Sequence, residues 1–204
     1  MDSVTHPSSE ISRLLDLLPA SWRMHTIVAQ RPDQAQVITS TPILPWRRDT
    51  QIKINFRYWF NLPVNERDLL FLAEVSWRQQ TQYFQWGTYQ LVSLFALAGT
   101  IWETIEGDIP GLAVGVLLIA IAWKQIDRQS KSAKTFLESD NEAIRVAQRR
   151  GYTDVVAARS LLEGIQNAAK LEGRQIPSFT ELIRCQNLRS LAGISKITVP
   201  SEVE

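Results

Sequence analysis

A long stretch of the chain, residues 79–123, contains no lysine or arginine, and this absence constrains the fold more than any other feature of the sequence. Three acidic residues lie together in its middle, and mostly apolar segments flank them at 86–105 and 109–126. A helix that crosses a bilayer needs about 20 mostly apolar residues, with about 17 as the lower limit. The sequence therefore predicts a hairpin of two transmembrane helices.

Tryptophans mark the ends of both predicted spans. Trp86 and Trp102 bracket the first span, and Trp123 ends the second. At a rise of about 1.5 Å per residue, Trp86 and Trp102 lie roughly 24 Å apart, which suits aromatic belts at the two interfaces of one bilayer. The alternative is a soluble protein in which both helices are buried, but such helices normally keep a charged face for water. Neither segment has one, which favours the membrane.

Two glycines give the second predicted span a small-residue face. Gly111 and Gly115 are one helical turn apart, a spacing that allows close contact with another helix, either within the hairpin or in a partner. The alternative is that glycine is simply common in membrane helices. Both interpretations stay open. The predicted residues for helix packing and interaction are Gly111, Gly115, Trp86, Trp102 and Trp123.

The positive charges predict an orientation for the hairpin. All 22 lysines and arginines lie before residue 79 or after residue 123. The positive-inside rule therefore places both termini on the cytoplasmic side and the loop 103–108 on the lumenal or periplasmic side. The N-terminus shows no cleavable signal peptide.

The predicted fold class is an α+β membrane protein, with a helical transmembrane hairpin and, on the cytoplasmic side, a small antiparallel sheet and amphipathic helices. The predicted parts are a cytoplasmic α+β head (1–83), the hairpin (84–126), a cytoplasmic helical tail (127–193) and a flexible C-terminus (194–204).

Within the head, apolar spacing predicts an amphipathic helix over 9–18 that ends at Pro19. Short strands are predicted at 25–30 and 36–41, and the alternation of residues 51–60 predicts a longer strand.

Within the tail, three helices are predicted after a polar helix that leaves the membrane. One starts at Ser139 and stops at Gly151, one is capped by Thr153, and one starts at the capping box of Ser178 and Glu181. The helix after Thr153 is expected to pack through one face, which carries Val155, Ala158, Leu162, Ile165 and Ala169.

The composition provides few of the side chains that catalytic and metal sites commonly use. The chain has one cysteine and two histidines, so it has neither a disulfide framework nor the usual ligands of a zinc site. A net charge of +1 gives no field that would recruit nucleic acid. The acidic loop around Glu106 could hold a cation, but a solvated loop is the simpler interpretation. Arginines 145, 149 and 150 similarly indicate a solvated face, with an anionic lipid surface as the alternative. We expect no enzyme activity, no cofactor and no metal.

One glutamate invites comparison with membrane zinc metalloproteases. In their His-Glu-x-x-His motif, two imidazoles one helical turn apart bind zinc and the glutamate is the general base. Here Glu74 holds the glutamate position, but Ala73 and Trp77 hold the ligand positions. Glu74 is therefore either the remnant of a dead site or an ordinary helix glutamate.

Several segments together resemble an uncharacterised cyanobacterial family of two-span membrane proteins. They are Leu17-Leu-Pro19, Glu66-Arg-Asp-Leu-Leu-Phe-Leu-Ala-Glu-Val75, the two apolar segments, Asp140-Asn-Glu-Ala-Ile144 and Arg150-Gly-Tyr152. The resemblance covers roughly residues 10–170. It implies a thylakoid or plasma membrane location but no activity. Several members carry a histidine where this chain has Ala73, and that departure weakens any inherited metal chemistry.

Two functional hypotheses follow. The first is a non-enzymatic, two-span integral membrane protein that is a subunit or an assembly or stabilising factor of a larger photosynthetic or respiratory complex. Its partners would be that complex and the bilayer, with pigment or lipid contact only through the partner. The second is a degenerate, metalloprotease-like pseudoenzyme that binds membrane protein substrates near Glu74.

Overall fold

The computed structural model describes residues 6–41, 49–82 and 132–194, together with Leu117 and Lys124. The chain divides into two compact units, one formed by Met1–Gln82 with Ala133–Glu204 and the other by Tyr83–Ser132. The following description concerns the first unit. In it, the predicted head and the helices of the predicted tail share one hydrophobic core.

The elements of this unit, in chain order, are α1 (Pro7–Leu17), α2 (Ala20–Arg23), β1 (Thr26–Gln30), β2 (Ile38–Ser40), β3 (Thr50–Ile54), α3 (Phe56–Trp59), α4 (Val64–Gln82), α5 (Ala133–Gln148), α6 (Asp154–Leu171) and α7 (Phe179–Leu191). The prediction of an α+β chain is confirmed for this part of the molecule.

The sheet is mixed, with the strand order β1–β3–β2. β3 pairs in parallel with β1, where Val28 lies opposite Ile52, and antiparallel with β2, where Ser40 lies opposite Ile52. The predicted antiparallel sheet is therefore wrong for the β1–β3 pair. β1 and β2 run in opposite directions on the two sides of β3, so one of the two pairs must be parallel.

The predicted strand over 51–60 ends at Ile54, because Asn55 starts a helix instead. The Asn55 side chain accepts a hydrogen bond from the backbone N–H of Arg57 at 3.1 Å and so caps α3. Its amide group donates to the carbonyls of Pro32 and Gln34, which ties the connection before β2 to this turn. The helix then buries Trp59 completely.

Helix α4 is the centre of the unit. The four consecutive residues Leu69, Leu70, Phe71 and Leu72 point in different directions around the helix, and all four are buried. Around α4 pack α1, β2, β3, α5 and α6, and α7 packs on α5 and α6. A helix enclosed in this way needs little amphipathicity, which explains why charged residues on α4 are also buried.

The tail helices follow their predicted caps more closely than their predicted faces. Thr153 caps α6, Ser178 and Glu181 form the capping box of α7, and Gly151 ends α5 with a φ of 96°. The helix predicted to start at Ser139 is in fact part of α5, which begins at Ala133. Val155 does not join the packed face of α6, because it is 47% exposed at the first turn.

The predicted fold class is wrong where it includes a transmembrane hairpin. Across 6–41, 49–82, 132–194 and the two isolated positions, no helix combines the length and the apolar character that crossing a membrane requires. The segment predicted as the hairpin, with Trp86, Trp102, Gly111, Gly115 and Trp123, lies outside the described residues.

Candidate functional site

Glu74 lies on α4 within a group of charged and polar side chains contributed by four elements. Ser40 of β2, Arg184 of α7 and Arg78, one turn further along α4, face its carboxyl group. Asp140 of α5 completes the group through its contact with Arg184. We call these five residues the Glu74 cluster. Because α4 packs on both β2 and α5, the cluster lies where the sheet and the C-terminal helices meet.

The environment of Glu74 shifts the pKa of its carboxyl group upward. Burial raises the pKa of the carboxyl group, and this effect exceeds the opposing influence of Ser40, Arg184 and Arg78, so the net pKa lies above the ordinary value for glutamate. The Ser40 hydroxyl oxygen is itself buried and makes no hydrogen bond of standard geometry in the described part of the chain.

The strongest ion pair of the cluster joins α7 to α5. Arg184 donates from Nε and Nη2 to the two carboxylate oxygens of Asp140, at 2.9 and 2.7 Å. Burial alone would lower the pKa of Arg184, but the Asp140 carboxylate raises it above the ordinary value. The guanidinium also lies 5.1 Å from the centre of the Phe136 ring, whose other contact is the stacked indole of Trp77.

Arg78 is the least satisfied member of the cluster. Its side chain is fully buried, and neither Nε nor Nη1 has a hydrogen-bond partner within the described residues. Burial lowers its pKa, and the charge of Glu74 opposes that shift. Glu74 is thus the acidic neighbour of a buried arginine, which is a structural role.

The geometry around Glu74 offers no zinc ligands. Ala73 is buried in the core and Trp77 stacks on Phe136, so both positions that would carry imidazoles are occupied by packing residues. In the described ranges, no group of three or more His, Cys, Asp or Glu side chains could hold a metal ion. The interpretation of Glu74 as a vestigial catalytic residue stays a prediction.

A second buried ion-pair network fixes α1 on α4, and sequence reasoning missed it. Arg67 donates to Glu10 at 2.7 Å and the Trp59 indole donates to the same oxygen at 3.1 Å. Arg13 bridges Glu10 and Asp68, and its contact with Asp68 is 2.6 Å long. Burial acts to raise the pKa of Glu10, but hydrogen bonds from Arg13 and Trp59 lower it below the ordinary value. Arg67 and Glu10 lie 57 residues apart and Arg13 and Asp68 lie 55 apart, so no local pattern indicates these pairs.

Asp68 also connects α4 to the turn that precedes α6. Its second carboxylate oxygen accepts a hydrogen bond from the Tyr152 hydroxyl at 2.8 Å. Burial raises the pKa of Asp68, and burial together with this contact raises the pKa of Tyr152 to about 12. Both networks thus hold helices together, and neither presents a reactive group to solvent.

The surface carries a small apolar ridge at the start of α7, which we define as Ile176, Phe179 and Leu182. These side chains are 80%, 73% and 50% exposed. Phe179 and Leu182 share one helix face because they are three residues apart. Beside the ridge, Arg174 pairs with Glu172 and Glu181, so each of these charges has a partner and the group keeps a net negative charge.

A relative of the chain is known in a cyanobacterium. The sequence is 29% identical over 157 residues, 75% of this chain and 73% of the relative, to a protein of Synechocystis sp. named as a thylakoid membrane protein. No solved structure matches the chain.

The resemblance to an uncharacterised cyanobacterial family is confirmed by these findings, which do not show the two-span architecture or the protease likeness. A family model described as "Protein of unknown function (DUF3318)" matches residues 12–152, from α1 through the turn after α5. This match spans most of the chain, and the chain belongs to that family.

Proposed function

We propose that this protein is a non-enzymatic component of the cyanobacterial thylakoid membrane system, acting as a subunit or as an assembly or stabilising factor of a larger photosynthetic or respiratory membrane complex. The location is inferred from the relative in Synechocystis, which is named as a thylakoid membrane protein. The partner would be an integral membrane complex, and any pigment contact would occur through that partner.

The observation that carries this proposal is the apolar ridge. Single exposed apolar side chains are ordinary on protein surfaces, but neighbouring ones with an aromatic member mark interaction sites. The ridge has an aromatic anchor and two aliphatic neighbours, and a group of paired charges borders it. Covering the ridge with a protein surface would remove apolar area from water without burying an unpaired charge.

The buried charges support a binding role over a catalytic one. Asp140, Glu10 and Asp68 each accept hydrogen bonds from an arginine on another helix, so they hold helices in place. This arrangement gives a rigid frame that would present the ridge in a fixed position, which reduces the entropy lost on association.

The test is complex formation by the full-length protein in its native membranes. Thylakoid membranes would be dissolved in mild detergent and separated on native gels, and the migration of the protein would be compared with that of identified photosynthetic and respiratory complexes. We expect the wild type to co-migrate with one of these complexes. Replacing Phe179→Ser and Leu182→Ser together should release the protein to low mass.

The matched control is Met24→Ser. Met24 is 75% exposed and lies after α2, outside the ridge, so its replacement removes a similar apolar side chain and should leave co-migration unchanged. A wild-type protein that migrates as a free monomer at every concentration would refute the proposal. If the ridge variant and the control lost co-migration equally, the role of the ridge would be refuted.

A further inference from the structure

A shallow groove lies where the end of α1 meets the end of α5. Leu17 and Pro19 line one side, and Val146, Arg149 and Arg150 line the other. Its volume is about 210 Å³, below the roughly 300–1,000 Å³ of pockets that enclose a whole drug-sized ligand. The groove therefore suits a small polar group with a short apolar stem.

Arg150 forms a fixed part of the groove. Its Nε donates to the carbonyl of Leu17 and its Nη2 to the carbonyl of Leu18, both at 3.0 Å. These carbonyls end α1 and would otherwise lack partners within the helix. Arg150 thus has a structural role, and that role holds its guanidinium beside the groove.

Arg149 has no comparable structural role. It is exposed, and its side chain forms no ion pair or hydrogen bond with any residue that the structure describes. Arg145, one turn earlier on the same helix, differs because it pairs with Glu142. The groove therefore combines an apolar floor with two guanidinium groups whose charge no neighbouring carboxylate balances in the described part of the chain.

We propose that this groove binds the headgroup of an anionic membrane lipid, with the first carbons of the lipid lying on Leu17 and Pro19. The charge of the headgroup complements the two arginines, and the apolar floor complements the stem. A lipid is favoured over an acidic peptide because the proposed function places the protein at a membrane, on which this inference rests.

The experiment titrates the full-length protein in mild detergent with short-chain phosphatidylglycerol, which is anionic, and with short-chain phosphatidylcholine, which has no net charge. Binding is measured by native mass spectrometry and by the shift in melting temperature. We expect the anionic lipid to bind more tightly. One cation near a membrane surface corresponds to roughly a fivefold change in affinity, so Arg149→Gln should weaken binding about fivefold.

The control is Arg145→Gln, which removes the same charge from the same helix. If the groove is specific, only Arg149→Gln should weaken lipid binding. Equal weakening of lipid binding in both variants would indicate a general attraction between cations and the lipid and would overturn the proposal. Tighter binding of a short poly-glutamate peptide than of the lipid would also overturn it. Equal competition by inorganic phosphate would refute the contribution of the apolar floor.

The titration needs no partner protein, so its outcome is separate from that of the complex. Failure to bind lipid would leave co-migration through the ridge intact, and a protein that migrates alone could still show selective binding at Arg149. The two proposals therefore fail independently in these experiments.

Discussion

Arg184 of α7 donates two hydrogen bonds to Asp140 of α5, at 2.9 and 2.7 Å, and joins two helices through residues 44 positions apart in sequence. Asp140 is fully buried, and Arg184 is its ion-pair partner among the described residues. The arrangement places an ion pair between two helices that both follow the undescribed middle of the chain. It therefore ties α7 to α5.

Asp140→Asn should destabilise the protein strongly. The amide keeps the size of the side chain but leaves Arg184 buried without its counter-ion, and loss of one member of a buried ion pair costs about 3 kcal/mol or more. The measurement is urea unfolding of the full-length protein, followed by circular dichroism.

The control for this loss is Glu142→Gln, which breaks a pair with Arg145 on the same helix. Arg145 is 64% exposed, so that pair should contribute less than about 1 kcal/mol. Equal free-energy losses in the two variants would show that burial does not strengthen the Asp140–Arg184 pair.

Glu181 should make the free energy of unfolding depend on pH in the acidic range. Burial acts to raise its pKa, but hydrogen bonds from Arg174 and Ser178 hold the pKa at about 2, below the ordinary 4.5. A lowered carboxyl pKa stabilises the folded state above pH 4.5, and this contribution is lost as the pH falls towards 2. Because Arg174 is 37% exposed, solvent screening reduces the contribution to about 1 kcal/mol.

Glu181→Gln tests this charge while keeping a side chain that can complete the capping box. Its free energy of unfolding should be about 1 kcal/mol lower than that of the wild type at pH 7, and the difference should shrink as the pH falls through about 2. Ser178→Ala is the comparison, because the loss of a neutral cap should largely persist in acid. A difference between Glu181→Gln and the wild type that stays constant with pH would contradict the assignment.

How far the sequence predicts this fold depends on how local each interaction is. The capping box of Ser178 and Glu181 is encoded in four consecutive residues and was predicted, as was the stop at Gly151. The direction of β1 relative to β3 was not predicted, because an alternating pattern indicates which face of a strand is buried but not which strand it pairs with. At Asn55 the alternation continues past the true end of the strand, and the cap that ends it was overlooked.

The candidate site shows the same limit. Glu74 was singled out from its neighbours in sequence, but its actual partners, Ser40 and Arg184, lie on β2 and α7. A charged residue on a helix is ordinarily assigned to the surface. Only the enclosure of α4 on all sides makes its charges buried, and that enclosure is a property of the tertiary structure.

Gly164→Ala should destabilise the contact between α6 and α4. A Cβ at this position would lie 3.0 Å from Leu70 Cγ and 3.3 Å from the Glu66 carbonyl oxygen. Overpacking of this kind costs about 1–3 kcal/mol, which exceeds the gain of up to about 1 kcal/mol in helix propensity. The measurement is urea unfolding. The midpoint should move to a lower urea concentration, while the slope of the unfolding free energy against urea concentration stays unchanged.

A second substitution shows whether the contact with Leu70 causes the loss of stability in Gly164→Ala. Leu70→Ala removes the nearest side chain, so Gly164→Ala should cost less when introduced into that background than into the wild type. Additive losses in the double variant would indicate that the added methyl group destabilises α6 for another reason.

Cys185, the single cysteine of the chain, should report the opening of α7. It is buried, and burial raises the pKa of its thiol, so the folded protein should react slowly with a maleimide at neutral pH. Where opening is fast and reversible, the labelling rate follows the population of the open state. Asp140→Asn should then speed the labelling of Cys185 about 100-fold if the lost ion pair contributes about 3 kcal/mol.

The reference for an accessible thiol is Ser12→Cys in a Cys185→Ser background, since Ser12 is exposed on α1. Wild-type Cys185 should react far more slowly than this reference thiol, and both should react equally in urea. If the native Cys185 reacted as fast as the reference, α7 would not be held closed by the Asp140–Arg184 pair. If Asp140→Asn left the labelling rate unchanged while lowering global stability, the pair would stabilise the unit as a whole without controlling the local opening of α7.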